Sequence, residues 1–248
     1  MATYQEVVEC GQRDLEITLA ECYARGAFAI EEQDLPGNRL RLLVYYHEPI
    51  DGAQAVDESV DWQSVSEQPW KAIPIGSRLW LAPPWVDEDP PDGRMRLNYI
   101  RGQACGTGGH AATQACLLAM DKHLRPGESF LDVGCGSGIL CLAADLLDAG
   151  DVAGCDIDYP SVVIAAKHSH APLFTGSTRS VRPSTFDVIA ANVNATVVAN
   201  IADDLSRILK PGGRVIAGGF KTGETPPIRL SLVDRCEVDG WCAAVYSH

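Results

Sequence analysis

The segment from Phe130 to Leu140, FLDVGCGSGIL, constrains the fold more than any other part of this chain. An apolar strand runs directly into three glycines at alternate positions, and a helix is predicted to begin immediately after them. Glycines at such a turn let a ligand approach the bare backbone, because no Cβ atom stands in the way. The segment therefore predicts a ligand-binding turn between a strand and a helix of an α/β domain.

The spacing of these glycines separates two kinds of nucleotide ligand. A dinucleotide-binding turn needs GxGxxG, whose third glycine would fall where Ile139 stands. The chain instead has GxGxG, the form expected for a loop that holds S-adenosylmethionine. Gly134, Cys135, Gly136 and Gly138 are therefore predicted cofactor contacts.

Strand and helix patterns alternate from about residue 105 to the C-terminus. Helices are predicted at 113–124, 138–150, 161–168 and 195–209, and strands at 129–134, 151–158, 186–192, 214–219 and 241–246. The run KPGG, residues 210–213, is expected to end the 195–209 helix before the 214–219 strand. Such alternation predicts an α/β domain built on a largely parallel sheet.

The N-terminal part of the chain does not show this alternation of strands and helices. Residues 1–47 predict a strand, a helix and two further strands, and residues 47–61 read as an acidic loop. Trp62, Trp70, Trp80 and Trp85 follow among six prolines, which excludes a long helix. We interpret IPIGSRLWLAPPW as two short strands of a connector, with the tryptophans packing at a domain junction.

Acidic side chains follow the second predicted strand of the α/β domain. Asp156 is placed to accept hydrogen bonds from ribose hydroxyls, with Ile157 beside it as a further cofactor contact. Asp158 is better suited to capping the next helix. Asp132 is expected to hold the glycine turn through backbone amides.

The third predicted strand of this domain ends in a polar pair. Asn192 offers a donor and an acceptor that can orient an incoming amine, whereas Asn194 is more readily a helix cap. Asn192 is therefore the predicted catalytic residue. His110 is placed to act as a base, although a histidine in a glycine-rich loop is more often structural.

Composition excludes several classes of protein. The formal charge is −13, with 18 acidic and 8 basic residues in positions 1–100, which argues against direct nucleic-acid binding. An acidic front can capture a basic partner or simply keep the protein soluble. Nine cysteines without a CxxC pair indicate reduced thiols and no metal site, and the absence of a signal or membrane segment predicts a cytoplasmic protein.

The order of the motifs resembles one known family. In chain order they are GSRLWLAPPW at 76–85, GTGxHxxT at 106–113, LDxGCGSGIL at 131–140, GxDID at 154–158, Asn192 at a strand end and KPGG at 210–213. This series is similar to the ribosomal protein L11 methyltransferase family of S-adenosylmethionine-dependent enzymes. The glycine loop alone marks any class I methyltransferase, whereas GTGxHxxT with the tryptophan connector is specific to this family.

The resemblance implies a Rossmann-like class I methyltransferase domain behind a small α+β, ferredoxin-like substrate domain. It implies S-adenosyl-L-methionine as the cofactor and amino groups of a basic ribosomal protein as the substrate. Thr107, Thr113, Gly134, Asp156 and Asn192 would contact the cofactor.

The chain departs from the family pattern at several places. Cys105 and Ala112 replace a phenylalanine and a threonine, Asn194 replaces a leucine, and the front domain is shorter. We expect domains at 1–58 and 105–248 with a connector at 59–104. A small-molecule methyltransferase and a non-catalytic S-adenosylmethionine-binding protein stay open as alternatives, and a nicotinamide oxidoreductase is disfavoured by Ile139.

Overall fold

The computed structural model describes residues 3–11, 14–37, 39–56, 72–84, 86–98 and 109–248 of the chain. They belong to two compact units that meet in the chain between residues 69 and 70. The described part of the predicted connector, residues 72–84 and 86–98, belongs to the second unit, and the boundaries at 58 and 104 stay predictions. Trp62, Trp70, Trp85, Cys105 and Thr107 lie outside the described residues.

The first unit is a four-stranded antiparallel sheet with one helix among its described residues. Its elements are β1 Thr3–Gly11, α1 Leu15–Ala24, β2 Ala27–Leu35, β3 Arg39–Tyr46 and β4 Gln54–Val56, and the strand order is β2-β3-β1-β4. Strand β3 buries alternate side chains, from Leu40 through Leu42 and Val44 to Tyr46, as its period of two requires. The predicted strand–helix–strand–strand order is confirmed.

The segment 47–61 differs from its prediction as a featureless loop. Strand β4 lies within it and pairs with β1 from Thr3 to Gln5. A ferredoxin-like unit has the order β-α-β-β-α-β, but residues 47–53, between β3 and β4, contain no helix. The ferredoxin-like assignment therefore stays a prediction.

The main sheet of the second unit has seven strands among the described residues. In spatial order they are β10 Leu173–Thr175, β9 Val152–Asp156, β8 Phe130–Val133, β11 Phe186–Asn192, β12 Leu209–Lys221, β14 Trp241–Ser247 and β13 Ser231–Val238. The first five run parallel, and β14 is antiparallel to both its neighbours. The chain winds outward from β8 to β10 and then returns to β11, so the strand order reverses between β8 and β11. Ligands bind at this switch point in open, doubly wound sheets of the Rossmann type.

Helices cover both faces of this sheet. They are α2 Ala111–His123, α3 Ile139–Leu146, α4 Tyr159–Ala165 and α5 Ala195–Ile208, each overlapping its predicted position. The centre of strand β11, residues 188–191, is apolar at every position because both of its faces are buried. Val188 and Ala190 join the core with α2 and α3, and Ile189 and Ala191 join the core with α5. A strand buried on both faces has no polar alternation.

Three features of the main sheet depart from the sequence prediction. Helix α5 ends at Ile208, just before KPGG, and β12 begins earlier than predicted, at Leu209, which pairs with Phe186. The register shifts across residues 210–213, so regular pairing with β11 resumes at Arg214, the predicted start of the strand. Strand β10 is only three residues long, too short to leave a periodic pattern. Strand β13 lies at the sheet edge, where its mixed polar side chains hide the alternation.

The connector strands form a small sheet of their own. Strands β5 Ile73–Ile75 and β6 Leu79–Ala82 confirm the two predicted strands, and β7 Met95–Asn98, which was not predicted, pairs parallel to β6. The turn between β5 and β6 is held by one carboxylate of α2. Asp121 accepts hydrogen bonds from the Ser77 amide at 2.8 Å and from the Arg78 amide at 2.9 Å.

We expect Asp121→Ala to lower the free energy of unfolding by about 2 kcal/mol, because it leaves both turn amides and the Arg78 Nε without their carboxylate acceptor. Chemical denaturation measures this loss. Asp151→Ala, which removes an exposed carboxylate from the same unit, is the matched control and should change stability by less than about 0.5 kcal/mol. Equal stabilities of the two variants would contradict the anchoring role of Asp121.

The cysteines agree with the reduced state expected from the sequence. Eight of them lie in the described residues; all eight are free thiols, and seven are buried. No helix in the described part of the chain is both long and apolar enough to cross a membrane.

Candidate active site

A cavity of about 720 Å³ opens at the switch point, where β8, β9 and β11 end. Seven of the nine residues predicted from the sequence to contact the cofactor line it: Thr113, Gly134, Cys135, Gly136, Asp156, Ile157 and Asn192. Thr107 lies outside the described residues. The cavity therefore brings together side chains from three strand ends and the start of α2.

The glycine turn forms one wall of this cavity. Gly134 has φ +72°, and a Cβ atom there would meet Val193 Cγ1 at 2.8 Å, so only glycine fits. The Gly134 and Cys135 amides donate to the Cys155 carbonyl at 2.8 and 3.0 Å. These bonds hold the turn against β9 and leave bare backbone facing the cavity.

Gly138 has a different place from the one predicted. It is the N-cap of α3 with φ +81°, and a Cβ atom would meet Ala165 at 3.1 Å. The residue permits close packing of α3 on α4 and does not line the cavity. Its contact with a cofactor stays a prediction.

Asp156 joins the two loops at the end of β9. Its Oδ2 accepts the Gly136 amide at 3.0 Å, and its Oδ1 accepts the Asp158 amide at 3.0 Å. An ionised carboxylate has about four acceptor sites, so two remain for ribose hydroxyls. Ile157 beside it is 81% exposed and offers an apolar surface to a flat ring.

Asp158 is a helix cap, as predicted. Its Oδ2 accepts the Ser161 amide at 2.9 Å at the start of α4. The two aspartates of this motif thus have separate roles, since only Asp156 lines the cavity.

Asp132 does not hold the glycine turn, contrary to expectation. The turn amides donate to Cys155 and Asp156, while Asp132 Oδ2 faces the Cys141 thiol at 3.7 Å. Its Oδ1 is buried without a hydrogen-bond partner. Burial raises the pKa of Asp132 to about 7, against the effect of the Cys141 hydrogen bond and with a further contribution from the charge of Asp156.

Asn192 and Asn194 also have separate roles. The Asn192 amide donates from Nδ2 to Thr113 Oγ1 at 3.2 Å, which fixes the side chain at the end of β11. An amide has a second donor and an acceptor, so Asn192 retains the capacity to bind a substrate group. Asn194 caps α5 by accepting the Val197 amide at 2.9 Å, as predicted.

His110 is a structural residue at the rim of the cavity. Its Nδ1 accepts the Ala112 amide at 3.2 Å and caps α2. Burial, and then the nearby charge of Lys221, lower the pKa of His110 below its usual value. The imidazole is therefore neutral at physiological pH, with one nitrogen already engaged.

The thiols beside the glycine turn are unsuited to nucleophilic catalysis. Burial raises the pKa of Cys135 and of Cys155 to about 12, with nearby carboxylates adding to the effect. A thiol in this state is protonated near pH 7 and unreactive.

Several cavity residues were missed by sequence reasoning. They are apolar side chains that follow Asn192, glycines of the neighbouring strands, and one tryptophan: Val193, Val197, Ile201, Gly176, Gly219 and Trp241. Trp241 starts the last strand of the chain, and nothing local to it signals a site. Only the strand order, which places β14 beside β12, brings it to the cavity.

The strand order and the ligand cavity at its switch point define the class I methyltransferase fold. A crystal structure of a ribosomal protein L11 methylase from Lactobacillus delbrueckii subsp. bulgaricus shares it, with a TM-score of 0.62 and 23% identity over 72% of this chain and 100% of that chain. A family model described as ribosomal protein L11 methyltransferase (PrmA) matches residues 38–232. The chain belongs to this family.

Curated relatives carry the same name. The ribosomal protein L11 methyltransferase of Burkholderia ambifaria is 33% identical over 187 residues, which cover 74% of this chain and 62% of the relative. That of Cupriavidus taiwanensis is 31% identical over 239 residues, covering 87% of this chain and 80% of the relative. The chain thus spans about three fifths of the length of the Burkholderia relative.

Proposed function

We propose that this protein transfers methyl groups from S-adenosylmethionine to amino groups of a basic protein, with ribosomal protein L11 as the substrate. The observation that carries the proposal is the convergence of the glycine turn, Asp156 and Asn192 on one cavity. Membership of the family supports the substrate, because relatives are named for it.

The cavity fits S-adenosylmethionine on the evidence of its own atoms. The turn at Gly134 presents a cradle that a Cβ atom would fill. Asp132 lines the cavity and its buried Oδ1 has no hydrogen-bond partner, so a cationic group bound there would supply the missing interaction. Asp156 and Ile157 would hold the ribose and the base. When bound, the cofactor supplies an electrophilic methyl group on a sulfonium centre.

The chain itself would position the amine. Asn192, fixed by Thr113, can accept an N–H of the incoming amine and turn the nitrogen lone pair toward the methyl group. A lysine amine has an ordinary pKa near ~10.4 and must lose a proton before it can attack. Val193, Val197 and Ile201 give the cavity an apolar wall that disfavours the charged form.

Charge supports a basic partner. The front of the chain holds most of the net negative charge, and Glu48 and Asp51 of the first unit are exposed. Attraction between exposed charges is screened over about 10 Å at 0.1 M salt. Association with a basic protein should therefore weaken as ionic strength rises. We propose a cytoplasmic location, with no direct binding to nucleic acid or to a membrane.

The function is tested by incubating the protein with methyl-labelled S-adenosylmethionine and purified ribosomal protein L11, then locating added methyl groups by mass spectrometry. A basic protein unrelated to ribosomes and a set of small amines run in parallel. Label on L11 alone is the expected result. Label on small amines only would support the small-molecule alternative, and cofactor binding without label would support the non-catalytic one.

We expect Asp156→Ala to weaken S-adenosylmethionine binding by roughly 10- to 100-fold, because charge-assisted hydrogen bonds to ribose are worth about 1.5 to 3 kcal/mol. Calorimetry measures the affinity. Asp158→Ala is the matched control, two positions away on the same loop: it should cost helix stability through the lost cap but leave affinity unchanged. Equal weakening by both variants would remove Asp156 from the cofactor site.

A further inference from the structure

A cation lies on the face of the cavity tryptophan. Lys221 and Trp241 are paired residues of β12 and β14, and the Lys221 ammonium lies 4.2 Å from the centroid of the Trp241 ring. Trp241 lines the cavity, while Lys221 is exposed at its edge. The indole therefore already acts as an ammonium-binding face within the protein.

His110 also contacts this indole. The two rings meet edge to face, with centroids 4.5 Å apart and planes at 72°. The histidine is itself fixed as the cap of α2. Because its pKa is lowered by burial and by Lys221, it is neutral and does not repel a second cation at the rim.

A backbone irregularity in β12 connects Lys221 and Trp241 with Asn192. The register of β12 against β14 shifts between Ala217 and Phe220, and Gly219 within the shift has φ +87°. A Cβ atom at Gly219 would collide with the Val193 carbonyl, and the preceding residue, Gly218, pairs with Asn192. The bulge thus places the indole next to the strand end that carries Asn192.

The indole face suits the substrate that the proposed function requires. Tryptophan binds ammonium groups most strongly of the aromatic side chains, and the attraction needs no N–H donor from the cation. The charged side chains that line the cavity are carboxylates, Asp132 and Asp156, which favour the approach of a cation. A protonated amine would meet Trp241 at the rim before it reaches the apolar wall.

We propose that Trp241 is the docking face for the ammonium group of the substrate, and that Lys221 occupies this face until the substrate displaces it. The inference rests on the proposed function and deepens it: the substrate is recognised as an alkylammonium cation. Lys221 is an internal competitor, so its removal should strengthen binding of a cation from solution.

Choline and its uncharged analogue 3,3-dimethyl-1-butanol test this directly, since they share a shape and differ in charge. Binding is followed by tryptophan fluorescence or by the indole N–H resonance in the full-length protein. Choline should bind Lys221→Met about 3- to 30-fold more tightly than it binds the parent, matching about 0.5–2 kcal/mol for one cation–π contact. The alcohol should bind both forms weakly and equally.

Two further variants keep the test decisive. Lys167→Met removes another exposed lysine and should leave choline affinity at the parent value. In the Lys221→Met background, Trp241→Phe should weaken choline binding while retaining a ring of similar packing, and calorimetry follows this variant because the reporting indole is gone. Equal choline affinity in parent and Lys221→Met, or equal binding of the alcohol and choline, would overturn the proposal. Because the readout needs no methyl transfer, these outcomes are independent of whether L11 is methylated.

Discussion

Replacing Asp132 with asparagine is expected to change the pH dependence of stability by about 4 kcal/mol between pH 4 and pH 8. The pKa of this buried carboxyl is about 7 in the folded protein, against an ordinary value of 3.8. Each unit of difference is worth about 1.4 kcal/mol.

The sign follows from which state binds the proton more tightly. Below pH 3.8 the carboxyl is protonated in both states, so it adds no pH dependence. As pH rises toward 7, the unfolded chain loses this proton while the folded chain keeps it, and the free energy of unfolding falls. Asparagine cannot ionise, so Asp132→Asn gains stability relative to the parent across this window.

Denaturation of both proteins without added cofactor, at several pH values, measures the difference. Asp151→Asn, at an exposed position of the same unit, is the control and should follow the parent at each pH. A constant difference between Asp132→Asn and the parent from pH 4 to pH 8 would contradict the assignment.

The same substitution should weaken S-adenosylmethionine at pH 8 by at least about 10-fold, because the cofactor is cationic and the buried Oδ1 has no other partner. A gain in stability together with a loss of affinity is expected where a buried charge destabilises the folded protein but binds the ligand. If affinity is unchanged, Asp132 is only a structural group beneath the glycine turn.

How far the sequence predicts this site depends on where each residue stands in its strand. Gly134 directly follows β8, and Asp156 and Asn192 are the last residues of β9 and β11, so a parallel sheet places all three at one edge. Their places could be read locally once the alternation of strands and helices was recognised. Asp158 and Asn194 could likewise be interpreted as caps from the helix that follows each.

Features that depend on strand order or on burial could not be read in this way. Trp241 reaches the cavity because the last strand inserts beside β12, antiparallel to the rest, and no local pattern specifies that insertion. Asp132 Oδ1 lacks a hydrogen-bond partner because the amides of the glycine turn donate to Cys155 and Asp156. The spacing of the glycines does not predict the direction of those amides. Strand β4 pairs with β1, and the edge strand β13 pairs with β14. Neither strand has the alternating sequence pattern from which a strand could be predicted.

The last expectation concerns turnover. Asn192→Ala should lower the turnover number by on the order of 10²- to 10³-fold, while S-adenosylmethionine affinity falls by less than about 10-fold. The reason is that an amide which orients the attacking amine acts mainly in the transition state, where misplacement of the lone pair is most costly. Thr113 keeps its place in α2, so the cofactor wall should survive the substitution.

Asn194→Ala provides the comparison, because it lines the same cavity two positions away and differs in what it binds. Its side chain accepts the Val197 amide, so its loss should cost about 1 kcal/mol of stability and leave turnover within about threefold of the parent. Steady-state kinetics with saturating cofactor, alongside calorimetry for affinity, separate the two effects. If both variants lose turnover equally, or if Asn194→Ala loses more, the acceptor lies nearer the start of α5 than the end of β11. The two asparagines would then exchange roles.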